Sequence, residues 1–172
     1  ALSPLHAGTG QGVGVIDLPI AREKATQIPF LPGSTIKGVF RDACDDVEKC
    51  IRVFGPNTDR AEEHAGAVTF TDARLLLLPV RSLRGVFAWV TSSLLLRRLA
   101  RDAQGATGLP GVPQANDESC LITDQNTPLK VSSINKVVLE DLPLTPDVNA
   151  EAKAWAEWIG QKLFPQDTKA QE

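Results

Sequence analysis

Asp17-Leu-Pro-Ile-Ala-Arg22-Glu23-Lys24-Ala-Thr26-Gln-Ile-Pro-Phe-Leu-Pro-Gly33-Ser34-Thr35-Ile-Lys37-Gly38 is the stretch on which the reading of this chain turns. Pro32-Gly33 punctuates it. Behind that break Ile36, Val39, Phe40, Ala43, Val47 and Ile51 recur at the spacing of one helical face, while Lys37, Arg41, Asp42, Asp45, Asp46 and Lys49 fall on the other. The spacing predicts one helix running through Ile51, with Ser34 or Thr35 as its N-cap. A loop rich in glycine (Gly8, Gly10, Gly12, Gly14) leads into the stretch, and Pro19 and Pro29 keep the extended segment between them out of any sheet centre.

Backbone amides, two hydroxyls and a lysine thus meet at a helix N-terminus, where the helix dipole favours an anion such as phosphate. Gly33, Ser34, Thr35 and Lys37 are the expected phosphate contacts, with Arg22 and Arg41 on adjacent phosphates. For Arg41 an ion pair with Asp45, one turn on, is the competing reading. The glycine loop lacks the Lys-Ser/Thr pair of a nucleotide-binding P-loop.

Working outward, residues 2–6 read as the end of a strand and 67–78 as a long one whose Leu75–Leu78 run is buried on both faces. Residues 84–91 make a second strand, and Ser92 or Ser93 caps a helix through about Arg101. Residues 105–118 are rich in Gly and Pro and read as mobile. Short strands follow near 119–123 and 129–140, then a helix over 148–164 with the stripe Ala152, Trp155, Ala156, Ile159 and Leu163. Trp158 lies off that stripe and is expected to cover something outside the chain. Alternating strands and helices of this kind predict an α+β fold, compatible with a split β-α-β unit of the ferredoxin-like or RNA-recognition type.

The 172 residues are 42% hydrophobic and 23% charged, an ordinary globular composition with room for one domain and its core. A net charge of −3 excludes coating nucleic acid by charge alone. The distribution is uneven: Ala73 to Arg101 holds six arginines and no acid, and Ala103 to Asn149 six acids against two lysines. Cys44, Cys50 and Cys120 have no metal-ligand spacing; Cys44 and Cys50, six apart on the predicted helix, cannot pair within it, which suits reduced thiols in a cytoplasmic protein. No apolar run approaches the roughly 18–20 residues of a membrane span, and no signal peptide is visible.

Ser3-Pro-Leu-His6-Ala-Gly8-Thr-Gly10, Ile16-Asp17-Leu-Pro-Ile-Ala-Arg22-Glu23-Lys24 and Pro32-Gly33-Ser34-Thr35-Ile36-Lys37-Gly38 together resemble the opening of a RAMP protein. The closest likeness is to the repeated backbone subunit of the Cmr-type (type III-B) CRISPR effector complex. Phe54-Gly-Pro56, Ala65-Gly66-Ala-Val-Thr-Phe-Thr-Asp72-Ala, Pro79-Val-Arg81-Ser82, Phe87-Ala-Trp89-Val-Thr91 and Val138-Leu-Glu140-Asp141-Leu continue the likeness over most of the chain. Thr35-Ile36-Lys37-Gly38 departs slightly from the more usual Ser-Leu-Lys-Gly, keeping the hydroxyl, the apolar position and the lysine.

The resemblance implies a ferredoxin-like RAMP core with insertions, one domain over 1–172. It implies a subunit that binds CRISPR guide RNA, assembles with copies of itself and other effector subunits, and cuts complementary single-stranded target RNA. Members of the family are considerably longer, so the start of the chain, a β-hairpin thumb and the last strands are expected to be missing. Asp17 stands where the family has its catalytic aspartate. Attack by an RNA 2′-hydroxyl needs a group that takes its proton or that holds a divalent cation, Mg or Mn, against the phosphorane. A turn aspartate before Leu-Pro is the plain alternative. His6 is the candidate to orient the scissile phosphate or shuttle a proton, or else a strand-end histidine on a backbone carbonyl. His64 reads as solvated surface. Three rivals remain from the sequence: a non-catalytic guide-binding scaffold, the type III-A backbone subunit, and a RAMP endoribonuclease that processes guide precursors.

Overall fold

The computed structural model describes residues 5–8, 19–103 and 105–165. The chain is α+β, with helices and small sheets mixed along it, and divides into two compact units, Ala1–Leu75 and Leu76–Glu172. Among the described residues no helix is long and apolar enough to cross a membrane.

In the first unit Gly8 and Ile20 form an antiparallel bridge, and the Ala21 amide donates to Ala7 O at 2.8 Å. Ala7 and Ala21 are buried there. A second bridge, Arg22 to Pro29, closes a tight loop in which Gln27 adopts φ 59°. Strand β1 (Phe30–Leu31) then pairs antiparallel with β2 (Ala73–Arg74).

The single helix predicted through Ile51 is two: α1 (Gly33–Asp42) and α2 (Val47–Phe54). Asp46 is extended, and its carboxylate accepts the Lys49 amide at 3.1 Å, capping α2. An aspartate competes for backbone donors and so favours a cap over a helix interior. The apolar period carries across the break undisturbed, which is why spacing alone read one helix. α2 ends at Gly55, φ 89°. Ala67 and Val68, expected to begin a strand, instead lie along the end of α2: the Ala67 amide donates to Arg52 O and the Val68 amide to Val53 O. A Cβ on Gly66 would stand 2.6 Å from Val53 O, so only glycine permits that approach. Phe70 follows, stacked on buried Phe54 at 5.7 Å and meeting Phe40 at 5.9 Å.

In the second unit β3 (Leu78–Arg81) and β4 (Phe87–Val90) form a hairpin. Leu75–Leu77 are half-buried and Leu78 is exposed, so the run is not covered on both faces as expected. The strands β5 (Ser119–Ile122), β6 (Lys130–Val131), β7 (Lys136–Leu139) and β8 (Leu142–Val148) form one sheet in the order β5-β8-β7-β6. Ser82 is buried, donating its hydroxyl to Val138 O at 3.2 Å, and so ties the hairpin to β7.

Strand β8 carries Pro143 and Pro146 yet lies between two neighbours, against the usual rule for proline. The register removes the conflict. Odd-numbered amides of β8 turn toward β5, as Thr145 N to Glu118 O and Asn149 N to Ile122 O show, so even-numbered ones turn toward β7. Pro143 would donate beside residue 117, ahead of the start of β5, since Ser119 pairs with Thr145. Pro146 would donate beside residue 135, ahead of the start of β7, since Val137 pairs with Leu144. Each missing donor falls where the neighbouring strand has not begun.

Helix α3 (Ser93–Asp102) is capped by Ser92, as expected, and α4 (Ala150–Leu163) by Asn149. Leu96, Trp155 and Ile159 form the buried centre, with Leu77, Leu99, Leu109 and Val112 against it. Two members of the expected α4 stripe, Ala156 and Leu163, are exposed instead. Trp158 is half-buried, packed edge-on to Trp155 at 5.8 Å with Lys162 over its ring. The Gly/Pro-rich segment read as mobile is held at three places. Leu109 and Val112 join the core, Gly111 O accepts from Trp155 Nε1 at 2.8 Å, and Pro113 O accepts from the Ser93 hydroxyl at 2.6 Å.

Trp155→Ala is expected to destabilise the protein by about 3–5 kcal/mol, the usual range for deleting a buried aromatic. Trp155→Phe is expected to lose much less, and urea unfolding followed by circular dichroism compares the two. Acid tests the α2 cap. The Lys49 amide, then the Lys49 side chain, hold the Asp46 carboxyl below its usual range. Its contribution is therefore present above the titration of the unfolded carboxyl and is lost as pH falls through the lowered folded value. Asp46→Asn is expected to flatten that acid limb in a pH series of helical signal.

Candidate nucleic-acid interface

The first turn of α1 is built differently from the expectation. Pro32 occupies the N-cap, and neither Ser34 nor Thr35 caps the helix; both are exposed. The orphan amide of Gly33 donates instead to the Asp72 carboxylate at 2.8 Å, from 39 residues along the chain. Gly33 is buried, and a Cβ there would stand 2.9 Å from the Thr71 carbonyl carbon and closer still to Phe70 O. The glycine therefore seats α1 against residues 70–72, and its amide is not among those turned to an outside phosphate. The anion that the helix dipole calls for at this amide is the protein's own.

What α1 does present is a row. Ser34, Lys37, Gly38 and Arg41 are spaced by three and four residues and share one stripe, about 10 Å long at the helical rise. Ser34 and Gly38 are exposed, Lys37 and Arg41 half-buried. The Arg41 guanidinium donates to Asn57 Oδ1 at 2.8 Å rather than pairing with Asp45, because α1 has ended at Asp42 and no helical turn brings Asp45 beneath it. Asn57 is neutral, so it orients the charge without cancelling it. Lys37 has no ion pair among the described residues.

Gly38 is a residue of this row that the sequence did not single out. A glycine inside a helix costs roughly 0.5–1 kcal/mol against alanine, and one is usually tolerated because something packs close. Here a Cβ would meet nothing within 4 Å. The signal available was a glycine well inside a strongly periodic helix, directly after its lysine. Asp72 was likewise quoted only as part of a string, and nothing local points from it to Gly33.

The remaining candidates are less gathered. Arg22 donates from Nη1 to Gln27 O at 2.9 Å and is exposed, its guanidinium steered by the loop that it closes. His6 is exposed beside the Gly8–Ile20 bridge. Asp17 lies outside the described residues, as do Gly10, Gly12 and Gly14. Among the described residues there is no group of three His, Cys, Asp or Glu side chains that could hold a metal ion. Of the six arginines of 73–101, Arg81 pairs with Glu140 at 3.4 Å and Arg101 with Asp102 at 3.2 Å.

Comparison with known proteins places this geometry. The family model for the RAMP superfamily matches residues 1–159. The CRISPR system Cmr endoribonuclease Cmr4 of Pyrococcus furiosus is 40% identical over 149 residues, 83% of this chain and 49% of its own length. A crystal structure of Cmr4 superimposes with a TM-score of 0.71 at 31% identity, over 94% of this chain and 58% of that one. Oligomeric Cmr4 from Pyrococcus furiosus gives 0.69 at 31% identity, over 88% and 56%. The chain spans about half the length of the curated relative that it matches.

Asp72→Ala is expected to leave the Gly33 amide without its acceptor and to cost about 1–3 kcal/mol. Gly33→Ala is expected to cost more, because backbone atoms on both sides must move. Urea denaturation of the two variants checks this; a wild-type midpoint for Gly33→Ala would show that residues 70–72 do not form the seat of α1.

Proposed function

The chain belongs to the RAMP superfamily, and on that premise we propose that it is the repeated backbone subunit of a Cmr-type, type III-B CRISPR effector. Such a subunit is cytoplasmic, has a ferredoxin-like core, binds guide RNA, assembles along it with copies of itself and with other effector subunits, and cuts the paired target RNA. The observation that carries the reading is the α1 row. Ser34, Lys37 and Arg41 line a stripe about 10 Å long, and Gly38 opens a gap in its middle. A hydroxyl, an ammonium and a guanidinium that follow a backbone, around a position free of side chain, suit a run of phosphates rather than a base edge. Thr35 and Arg22 extend the contact. Sequence choice then rests with base pairing, since an A-form duplex is held by its backbone and shape.

Cleavage is assigned to Asp17 and His6. The Asp17 carboxylate takes the proton from a target 2′-hydroxyl, whose oxygen attacks the adjacent phosphorus. The P–O5′ bond breaks, and the leaving 5′-oxygen takes a proton from the His6 imidazolium, leaving a 2′,3′-cyclic phosphate and a 5′-hydroxyl. A divalent ion, Mg or Mn, would supply charge stabilisation for the phosphorane; no step above depends on it.

In assembled complexes Asp17→Ala is expected to keep guide and target binding while cleavage is lost, because one carboxylate is a small part of an extended RNA footprint. Undiminished cutting, read on a gel with end analysis of the products, would remove the assignment. Lys37→Ala is expected to weaken RNA binding alike for unrelated sequences and to lower the salt slope by about one. A loss confined to particular guides would mean base reading instead. Gly38→Ala is expected to leave urea stability equal or slightly raised while RNA affinity falls; unchanged affinity would empty the gap of meaning.

A further inference from the structure

The break between α1 and α2 places two thiols that a continuous helix would have held apart. Cys44 follows the end of α1 and Cys50 lies in α2. One carbonyl gathers them: Arg41 O accepts the Cys44 amide at 3.2 Å and the Cys50 thiol at 3.7 Å. The Cys44 thiol donates to Asp46 O at 3.5 Å, the cap residue of α2. That Asp46 carbonyl also accepts the Cys50 amide at 2.8 Å, so each thiol shares an acceptor with the other residue's amide. Both are free, half-buried, and line one open cavity with Arg41, Asp42, Val47 and Asn57, so a small reagent reaches them from solvent.

We propose that Cys44 and Cys50 are a dithiol modification site that closes reversibly to an intramolecular disulfide by exchange with a small-molecule disulfide such as oxidised glutathione. One thiolate attacks a sulfur of the small disulfide, forms a mixed disulfide and releases one small thiol. The second protein thiolate attacks the protein sulfur of that mixed disulfide and releases the other. Two protein thiols lose two protons and two electrons, and the small disulfide is reduced to two thiols. Two cysteines that share both acceptors lie near enough for side-chain rotation to bring the sulfurs to the about 2.05 Å of an S–S bond. The bond would span the turn between α1 and α2 and remove both S–H donors from the Arg41 and Asp46 carbonyls. It would thus tie the end of the α1 row to the cap of α2, at the residue whose guanidinium completes that row. Cys120 lies on β5 in the other unit and takes no part.

Lys49 lies between the two cysteines, which makes the test direct. The purified protein is treated with oxidised glutathione, blocked with an alkylating agent, and digested with trypsin without reductant. Peptides 42–49 and 50–52 are expected to appear as one linked species, lighter than their sum by two hydrogen atoms, on a monomeric chain whose Cys120 is alkylated. Dithiothreitol is expected to separate them. Phenylarsine oxide, which bridges neighbouring thiols, is expected to add once to the wild type and to neither Cys44→Ser nor Cys50→Ser. Stable glutathione adducts on either cysteine, disulfide-linked dimers, or full alkylation of both thiols after treatment would each overturn the proposal.

Discussion

The hydrogen bond from the Gly33 amide to the Asp72 carboxylate is the contact on which the arrangement of the first unit rests. It satisfies a donor that every helix leaves open at its start. It does so with an anion, which the positive end of the dipole prefers. It also joins α1 to the backbone that runs into β2, so the helix cannot rotate about its axis without losing it. Gly33, at the start of α1, lies against Phe70 and Thr71, which fixes the end of the helix from which Ser34, Lys37, Gly38 and Arg41 follow.

The glycines of this unit divide by what a side chain would meet. At Gly33 and Gly66 a Cβ would run into backbone, so these two are internal fittings that let chain segments touch. At Gly38 a Cβ would meet nothing, so the same residue type serves a surface. The strings Ala65–Ala73 and Pro32–Gly38 are thus two sides of one joint: Gly66 approaches the end of α2, Phe70 packs on Phe54, and Asp72 reaches Gly33. The row proposed to follow RNA thus stands on a helix whose first residue is fixed against another segment of the same unit.

The second unit shows the same economy with proline. Pro143 and Pro146 sit in an inner strand without an unpaired donor, since the strands on either side are short and staggered. Its core depends on a tryptophan whose indole N–H reaches Gly111, so burying the ring and anchoring the long Gly/Pro segment are one event. A residue with an apolar body and one polar end does both where phenylalanine would do only the first.

Much was legible from the chain alone: the α+β class, a helix following the Pro32-Gly33 break, the capped α3, the final helix, and the apolar weight of Trp155 and Ile159. These follow from local causes, namely periodicity, caps and breakers, which act over a few residues. The break at Asp46, the Asp72–Gly33 bond, Arg41 on Asn57, the proline-bearing inner strand, Trp158 against Trp155 and the meeting of Cys44 with Cys50 were not legible. In the first a cap competed with a helical period that ran straight through it. Most of the others depend on which distant backbone group arrives beside a side chain, and Trp158, on the same helix as Trp155, on how that helix is packed. Residue type states what a group can donate or accept, but only the folded chain decides which partner stands within 3 Å of it.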